Sequence, residues 1–218
     1  MTRKIRRRGG DLLLGVPTRR RADGGALNSV LLTGRDGGLY HKRHLVPFGE
    51  YLPLAPLLGP IVRALGIQVA NFSPGPIRQP LLKVDGWPIG VSVCYEIAFG
   101  DEIRTTLPEA ALLVTVSNDA WFGTSLGPHQ HLQIARARAR ESGRWLLRAT
   151  NTGLTAIVAP DGRIVARAPQ FETTVLTGSA TPMGGATPYV RFGDLPVVLL
   201  ALFMLVGGVL LARPALHR

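Results

Sequence analysis

The sequence is poor in cysteine, because Cys94 is the only one in 218 residues. An intramolecular disulfide is therefore excluded in any compartment. A lone thiol in an oxidising exterior is a liability, so its presence there would need a reason. The hydrophobic fraction of 46% supports a real core in one large domain or two small ones, and it excludes a disordered tail.

Acidic residues are also scarce, with 14 Asp and Glu against 25 Lys and Arg. The densest basic runs lie at residues 3–8 and 19–21. No zinc-finger spacing, recognition-helix pattern or aromatic stacking motif accompanies this charge, which argues against nucleic acid as a partner. A basic surface that faces anionic lipid head groups, or a plain solvated face, explains the net charge of +11 equally well.

Charge is absent from Leu195 to Ala212, which reads LPVVLLALFMLVGGVLLA. As a helix this segment would be roughly 27 Å long, about the thickness of a hydrocarbon core, although a buried helix of a soluble protein is the alternative. Asp194 precedes it and Arg213 follows it, which predicts a cytoplasmic C-terminus and an external domain. The apolar stretch DLLLGV is too short for a secretory signal. We predict a basic leader at 1–10, a catalytic domain at 11–190, a linker at 191–194, a transmembrane helix at 195–212 and a cytoplasmic tail at 213–218.

The remaining chain alternates between strand and helix patterns. Turn signals at 34–38, 85–86 and 161–162 predict three hairpins. The continuous apolar run at 111–116 fits a buried strand. This alternation predicts α/β layers. The predicted strands are 11–16, 27–32, 38–41, a hairpin within 81–93, 111–116, 145–150, 155–159 and 163–168; the predicted helices are 97–106 and 131–143, with short helical pieces within 52–67.

Cys94 ends a predicted strand and precedes a predicted helix. At a helix N-terminus, free backbone amides and the helix dipole favour the thiolate and can bind an oxyanion. The thiolate is the reacting form, whereas an ordinary cysteine, with a pKa of about 8.5, is mostly protonated at neutral pH. A nucleophilic role would therefore need a base or a cation nearby. The spacing alone fits a buried structural cysteine equally well.

Lys42 and Glu50 share a loop rich in proline and glycine, ahead of the strand that leads to Cys94. A lysine can stabilise the negative charge that develops on an attacked carbonyl, and a carboxylate can orient the ammonium or accept the thiol proton. Such a pair is also ordinary on a solvated loop.

Two pairs of histidines could suggest a metal. No cysteine or carboxylate cluster completes a four-ligand pattern around them, so we predict no metal and expect packing or hydrogen-bonding roles. The pairs are His41 with His44 and His129 with His131.

The chain resembles the apolipoprotein N-acyltransferase family in four segments that occur in the family's order. The segments are KRHLVPFGEYLP (42–53), SVCYE (92–96), SNDAWFGTSLGPHQH (117–131) and RWLLRATNTGLTA (144–156). The resemblance runs from about residue 11 to residue 212, and the length of the motifs makes it specific. Members of this family are bacterial inner-membrane enzymes whose periplasmic catalytic domain has the nitrilase, or carbon-nitrogen hydrolase, fold.

The resemblance implies a nitrilase-like α-β-β-α sandwich followed by one transmembrane helix. It also implies a Glu-Lys-Cys triad, in which Lys42 matches the lysine and Cys94 the nucleophile. Glu50 matches a second glutamate that supports the site. Tyr95 and Glu96 match substrate-binding residues beside the nucleophile, with the Tyr95 amide as an oxyanion donor alongside Lys42. The apolar segment around 52–67 matches a region that helps to admit lipid.

The implied reaction has two steps and no cofactor. Cys94 takes an acyl chain from a phospholipid such as phosphatidylethanolamine, which leaves a thioester and a lysophospholipid. The α-amine of a lipoprotein's diacylglyceryl-cysteine then accepts the chain as an amide, because an amine attacks a thioester readily when water is kept out. The expected protein is a monomer of the bacterial inner membrane, with its domain on the periplasmic side and with phospholipid, apolipoprotein and membrane as partners.

The sequence departs from this family's pattern at its N-terminus. The family's catalytic glutamate, the general base, lies on a strand before the segment matched by DLLLGVP, whereas residues 1–10 contain no acidic residue. We therefore expect an N-terminally shortened chain with an incomplete sandwich and a poorly activated thiol. Two other hypotheses stay open: a catalytically impaired, membrane-anchored remnant that binds lipid or lipoprotein, and a nitrilase-type amidase.

Overall fold

The computed structural model describes residues 5, 7–20, 24–67 and 70–212, without the side chains of residues 211 and 212. In the described part of the chain there are nine strands, five α-helices and two 3-10 helices, the latter at Cys94–Ala98 and Ala120–Phe122. The strands are β1 (Leu12–Arg19), β2 (Ala26–Thr33), β3 (Gly37–His41), β4 (Leu82–Val84), β5 (Trp87–Val93), β6 (Leu112–Ser117), β7 (Leu146–Thr150), β8 (Ala156–Val158) and β9 (Ile164–Arg167); the helices are α1 (Ala55–Ala64), α2 (Gly100–Arg104), α3 (Gly127–Ser142), α4 (Pro188–Phe192) and α5 (Leu195–Ala212).

The first sheet is antiparallel, with the strand order β1-β2-β3. Val30, at the centre of β2, pairs with Gly15 on one side and with Tyr40 on the other. The hairpin predicted at 34–38 is confirmed, because Thr33 pairs with Gly37 across that turn. This sheet delivers the chain into the loop that carries Lys42 and Glu50.

The second sheet has six strands in the order β4-β5-β6-β7-β8-β9. Strands β5, β6 and β7 are parallel, while the outer pairs are antiparallel. Both remaining predicted hairpins are confirmed as β4–β5 and β8–β9. Because the carboxyl ends of parallel strands meet at one edge of a sheet, the residues that follow Val93, Ser117 and Thr150 come together there.

Two apolar clusters join these elements in layers. One lies between the sheets and the other between the six-stranded sheet and α3, so the described residues form successive β-β-α layers. The first cluster contains Val30, Leu32, Tyr40, Leu82, Ile89, Val91, Val93 and Val114. The second contains Ile97, Ile103, Leu113, Leu132, Ala135, Ala139, Leu146, Leu154, Ala156 and Val158.

The continuous helix predicted at 97–106 is wrong. The chain instead forms the 3-10 helix Cys94–Ala98 and then the short helix α2, with Phe99 in an extended conformation between them. The ring of Phe99 stacks on that of His44 at 3.6 Å, and this tertiary contact accompanies the break. Cys94 therefore begins a five-residue 3-10 turn, and the expected helix dipole is correspondingly weak.

Helix α5 covers the segment predicted to span a membrane, and its large apolar side chains are exposed from Leu195 to Leu210. Within the described part of the chain, no helix has both the length and the apolarity needed to cross a bilayer. The predicted tail at 213–218 and the first four residues of the predicted leader lie outside the described residues. The predicted domain boundaries stay predictions.

Candidate active site

Cys94 has an unusual backbone conformation directly after strand β5. Its φ of 53° lies in the left-handed region, which a residue with a side chain adopts rarely and at a cost of about 1–3 kcal/mol. The residue is half-buried, and its preceding neighbour Val93 is buried between the sheets. A strained, partly accessible thiol at the carboxyl edge of a parallel sheet is well placed to meet a substrate.

The carboxylate of Glu96 joins the Cys94 turn to the loop that follows β3. Its Oε1 accepts hydrogen bonds from Tyr40 Oη at 3.0 Å, from the Arg43 amide at 2.6 Å and from the His44 amide at 3.3 Å. Its Oε2 accepts from the Val93 amide at 2.7 Å. Because Glu96 is 1% exposed, these four donors surround a desolvated carboxylate.

Burial raises the pKa of Glu96 despite the opposing hydrogen bonds from backbone amides. Burial and the nearby Glu96 charge also raise the pKa of Tyr40, so this phenol stays a neutral donor. Glu96 thereby holds the residue after Lys42 against the Cys94 turn. Its contacts are those of a positioning residue, while the substrate contact expected for it stays a prediction.

Lys42 and Glu50, which both lie on the loop after β3, form an ion pair. The fully buried Lys42 Nζ donates to Glu50 Oε2 at 2.6 Å. Glu50 is held in turn by the Val46 amide at 2.8 Å and by Asn28 Nδ2 at 3.0 Å. An ammonium has three N–H donors, and the described contacts engage one of them. The arrangement can therefore present a fixed cation to a developing oxyanion.

A second buried charge network contacts the Cys94 turn through His131. Asp119 follows β6, His131 lies on α3 and Arg148 lies on β7. Asp119 Oδ1 contacts His131 Nδ1 at 3.0 Å, and Asp119 Oδ2 accepts from Arg148 Nη2 at 2.7 Å. His131 Nε2 lies 3.1 Å from the carbonyl oxygen of Cys94.

Burial opposes ionisation of Asp119, but hydrogen bonds from His131 and Ser117 and the charge of Arg148 hold its pKa below the usual range. The sequence predicted a packing or hydrogen-bonding role for His131, which these contacts match, but it did not anticipate Asp119 and Arg148 as its partners. The available signal was that all three residues fall within the two longest family-like segments, 117–131 and 144–156.

Aromatic side chains lie beside the thiol. The Tyr95 ring meets His44 and Phe99 edge-on at 5.5 and 4.9 Å and remains 38% exposed. Large apolar side chains are also exposed on the segment after β6, at Trp121, Phe122 and Leu126. The expected oxyanion role of the Tyr95 amide stays a prediction.

Two further histidines, His41 and His44, have hydrogen-bonding partners. His41 Nδ1 lies 2.8 Å from Ser29 Oγ, and burial lowers the pKa of His41. His44 Nδ1 pairs with Glu102 Oε1 at 2.7 Å. Among the residues that the structure describes, no group of three or more His, Cys, Asp and Glu side chains could hold a metal ion.

Comparison with known proteins identifies a matching family and long similar sequences. The family model described as carbon-nitrogen hydrolase matches residues 6–188. The chain is 51% identical over 195 residues to an apolipoprotein N-acyltransferase from Methylococcus capsulatus, covering 89% of this chain and 39% of that protein. It is 49% identical over 205 residues to an apolipoprotein N-acyltransferase from Nitrosomonas europaea, covering 93% and 41%. The chain thus spans about two fifths of the length of these curated relatives.

Solved structures share the fold at low sequence identity. A carbon-nitrogen hydrolase from Helicobacter pylori matches with a TM-score of 0.59 at 16% identity, covering 77% of this chain and 60% of that one. The NitFhit protein of Caenorhabditis elegans matches with a TM-score of 0.60 at 20% identity, covering 78% and 42%. The nitrilase-like α/β fold expected from the sequence is therefore confirmed.

Proposed function

The chain belongs to the carbon-nitrogen hydrolase family, and on that premise we propose that Cys94 carries an acyl chain from a phospholipid to the N-terminal amine of a diacylglyceryl lipoprotein. The names and the 43–51% identity of the curated relatives support this substrate class. One structural observation carries the proposal: the buried carboxylate of Glu96 ties the left-handed Cys94 turn to the loop that presents Lys42.

In the first step, the Cys94 thiolate attacks the carbonyl carbon of a phospholipid ester. The thiol proton leaves to solvent before the attack, and negative charge develops on the ester carbonyl oxygen. The Lys42 ammonium, held by Glu50, stabilises that oxyanion, with the Tyr95 amide as a second donor. The attack forms the C–S bond; collapse of the intermediate restores the carbonyl, breaks the ester C–O bond and releases a lysophospholipid that takes up a proton.

In the second step, the free amine of the lipoprotein attacks the thioester. The C–N bond forms, the C–S bond breaks, and the amine loses one proton as the amide product leaves the thiolate of Cys94 behind. Exclusion of water protects the thioester until the amine arrives. We propose that exposed apolar side chains, including Tyr95 beside Cys94 and Phe122 after β6, provide this exclusion once a lipid chain covers them.

Glu50 is the carboxylate bound to Lys42 in the described site. Its Oε2 already accepts from Lys42 and from the Val46 amide, so we expect it to orient the ammonium and to be a weak proton acceptor for the thiol. Thioester formation by this chain should therefore be slow and should quicken with pH.

We also propose that the domain works at the outer face of a bacterial inner membrane, attached through the apolar surface of α5. The exposed apolar surface of α5 and the exposed Leu54, Leu57 and Ile61 at α1 support contact with lipid. Co-sedimentation of the chain with phosphatidylethanolamine vesicles tests the attachment. Loss of co-sedimentation on replacing Leu57 and Ile61 by serine would implicate α1, and its retention would leave α5 as the attachment.

The reaction itself is tested by intact-protein mass spectrometry after incubation with phosphatidylethanolamine vesicles. We expect a mass increase of one acyl chain that hydroxylamine removes, because hydroxylamine cleaves thioesters. The adduct should be absent from Cys94→Ala and should transfer to a synthetic diacylglyceryl-cysteine peptide. An adduct that persists in Cys94→Ala would overturn the assignment of the nucleophile.

The same assay separates the two other hypotheses. Turnover of water-soluble amides without any acyl adduct would indicate an amidase. Vesicle binding without an adduct or amide turnover would indicate a lipid-binding remnant.

A further inference from the structure

We propose that His131, Asp119 and Arg148 act together as positioning residues that hold one net positive charge under the Cys94 turn and so maintain the reactive thiolate. The inference rests on the proposed function only in taking Cys94 as the nucleophile. It assigns activation of the thiol to the six-stranded sheet and α3, in addition to the Lys42 loop.

The hydrogen-bond partners of His131 determine its protonation state. Nδ1 meets a carboxylate oxygen of Asp119 and Nε2 meets the carbonyl oxygen of Cys94. Ionised carboxylates and backbone carbonyls only accept hydrogen bonds. We therefore take both ring nitrogens as donors, so that His131 acts as an imidazolium hydrogen-bonded to the nucleophile's own backbone.

The charges of the network follow from this state. Asp119 is ionised, since two charged donors and the Ser117 hydroxyl at 2.6 Å surround its oxygens. Arg148 keeps its proton in proteins and is fully buried on its side chain. Two cations and one anion leave a net positive charge beside the turn.

Arg148 has a donor that the network does not use. Its Nη2 pairs with Asp119 and its Nε with the Leu154 carbonyl, but the buried Nη1 has no hydrogen-bond partner among the described residues. Leaving a buried N–H donor without a hydrogen bond lowers the free energy of unfolding by about 1–3 kcal/mol. The unpaired Nη1 therefore needs an explanation. A charge on Cys94 interacts favourably with this guanidinium, which supplies one.

The other charged groups around the Cys94 turn do not provide a net positive charge. Lys42 is matched by Glu50 in a close ion pair. The buried Glu96 lies at Tyr40, where the charge of Arg43 acts in the opposite direction. Tyr40 stays neutral. Without the network, these groups would supply no net positive charge to favour the thiolate.

The chain also leaves room for the network at Gly153. A Cβ placed there would collide with Asp119 Oδ2. A side chain at this position would displace the carboxylate that holds both cations.

The test is the pH dependence of Cys94 alkylation by iodoacetamide, measured on the full chain in detergent micelles. Cys94 is the only cysteine, so one mass shift reports one thiol. The variants are Arg148→Met and His131→Gln; the latter keeps an N–H donor near the Cys94 carbonyl but removes the charge. The matched control is Arg144→Met, because Arg144 is equally buried but donates only to backbone carbonyls, such as those of Ala110 and Gly185.

We expect both network variants to react about tenfold more slowly than wild type at pH 7, with the midpoint of the pH–rate profile about one unit higher. Their rates should converge on the wild-type rate as pH rises to 10 and the thiols of wild type and variants ionise. Arg144→Met should keep the wild-type midpoint. A slowing that persists unchanged at pH 10 would mean altered access and would overturn the proposal, as would identical midpoints in Arg148→Met and Arg144→Met.

If Arg148→Met fails to fold, as judged by near-ultraviolet circular dichroism, His131→Gln and the charge-retaining Arg148→Lys carry the test. Arg148→Lys should keep the wild-type midpoint and His131→Gln should raise it; any other pair of results counts against the proposal. Alkylation needs no acyl donor. Failure of this inference therefore leaves the acyl-adduct experiment on Cys94 unaffected, and the reverse also holds.

Discussion

Two buried ion pairs flank the same cysteine, and they differ in what remains free. In the Lys42–Glu50 pair, the ammonium is buried while the Glu50 side chain is 14% exposed; in the Arg148–Asp119 pair, both side chains are fully buried. Lys42 retains N–H donors for a substrate, whereas Asp119 has both oxygens occupied. This difference matches the two proposals, in which the first pair serves the reacting atoms and the second supports and charges the nucleophile.

The largest expected effect is on the free energy of unfolding, when the Arg148–Asp119 pair is broken. Asp119→Ala leaves two buried cations without their anion, which should lower the free energy of unfolding by about 3–5 kcal/mol. Urea unfolding followed by circular dichroism measures this change. The control Asp101→Ala breaks an exposed pair with Arg104 and should cost about 1 kcal/mol or less. Equal costs in the two variants would contradict the distinction between a supporting pair and a surface pair.

The next effect separates the pairs by chemistry. Lys42→Met should slow acylation of Cys94 by about 10²–10³-fold, because an oxyanion donor is lost. The burst of p-nitrophenol released from a p-nitrophenyl acyl ester measures this step. Lys83→Met, at an exposed position of β4, should leave the burst rate unchanged. A normal burst in Lys42→Met would remove Lys42 from the reaction.

A smaller effect is expected at the partner of Lys42. Glu50→Gln keeps an oxygen and an N–H group but loses the charge-assisted bond to Lys42, which should cost about 1–2 kcal/mol, or about tenfold in the same burst rate. The exposed Glu109→Gln is the control. If Glu50→Gln slowed the burst as much as Lys42→Met does, Glu50 would have a direct role as proton acceptor.

The smallest effect should appear only in acid. The pKa of Asp119 is lowered in the folded protein, so its ionised form contributes stability that is present above the ordinary value of 3.8 and is lost as pH falls through the lowered value. The stability gap between wild type and Asp119→Asn should therefore be constant near neutrality and should narrow in acid. Glu96, with a raised pKa, has the opposite sign: its contribution is greatest below 4.5 and is lost as pH rises. Unfolding midpoints of wild type, Asp119→Asn and Glu96→Gln from pH 2 to 7 test both signs, and a gap for Asp119→Asn that widens in acid would contradict the first.

Local sequence signals predicted most of the fold. The three hairpins are correct because glycine and Asp-Gly pairs between strand patterns favour tight, strand-reversing turns. Strands β5 and β6 are also found where apolar patterns predicted them. The helix predicted at 97–106 failed because its interruption at Phe99 accompanies stacking on His44, a residue far away in the chain.

The site was predictable to the extent that its chemistry is local. Cys94 stood out as the only cysteine, and Lys42 and Glu50 were assigned by motif; their roles stay proposals. The Glu96 contacts to Arg43 and His44 and the Asp119–His131–Arg148 network were not anticipated. Their partners come from separate elements, with sequence separations of 53, 52, 12 and 29 residues.

The sequence by itself determined the class of this protein: an α/β domain with a single thiol at a strand end, followed by an uncharged apolar segment. These properties depend on composition, periodicity and motif order, which are local. Only the tertiary structure decided which charges are buried together and which donors remain free. Burial removes water from an ion pair and so determines both its electrostatic strength and its desolvation cost. The degree of burial depends on segments that meet only when the two sheets and α3 pack.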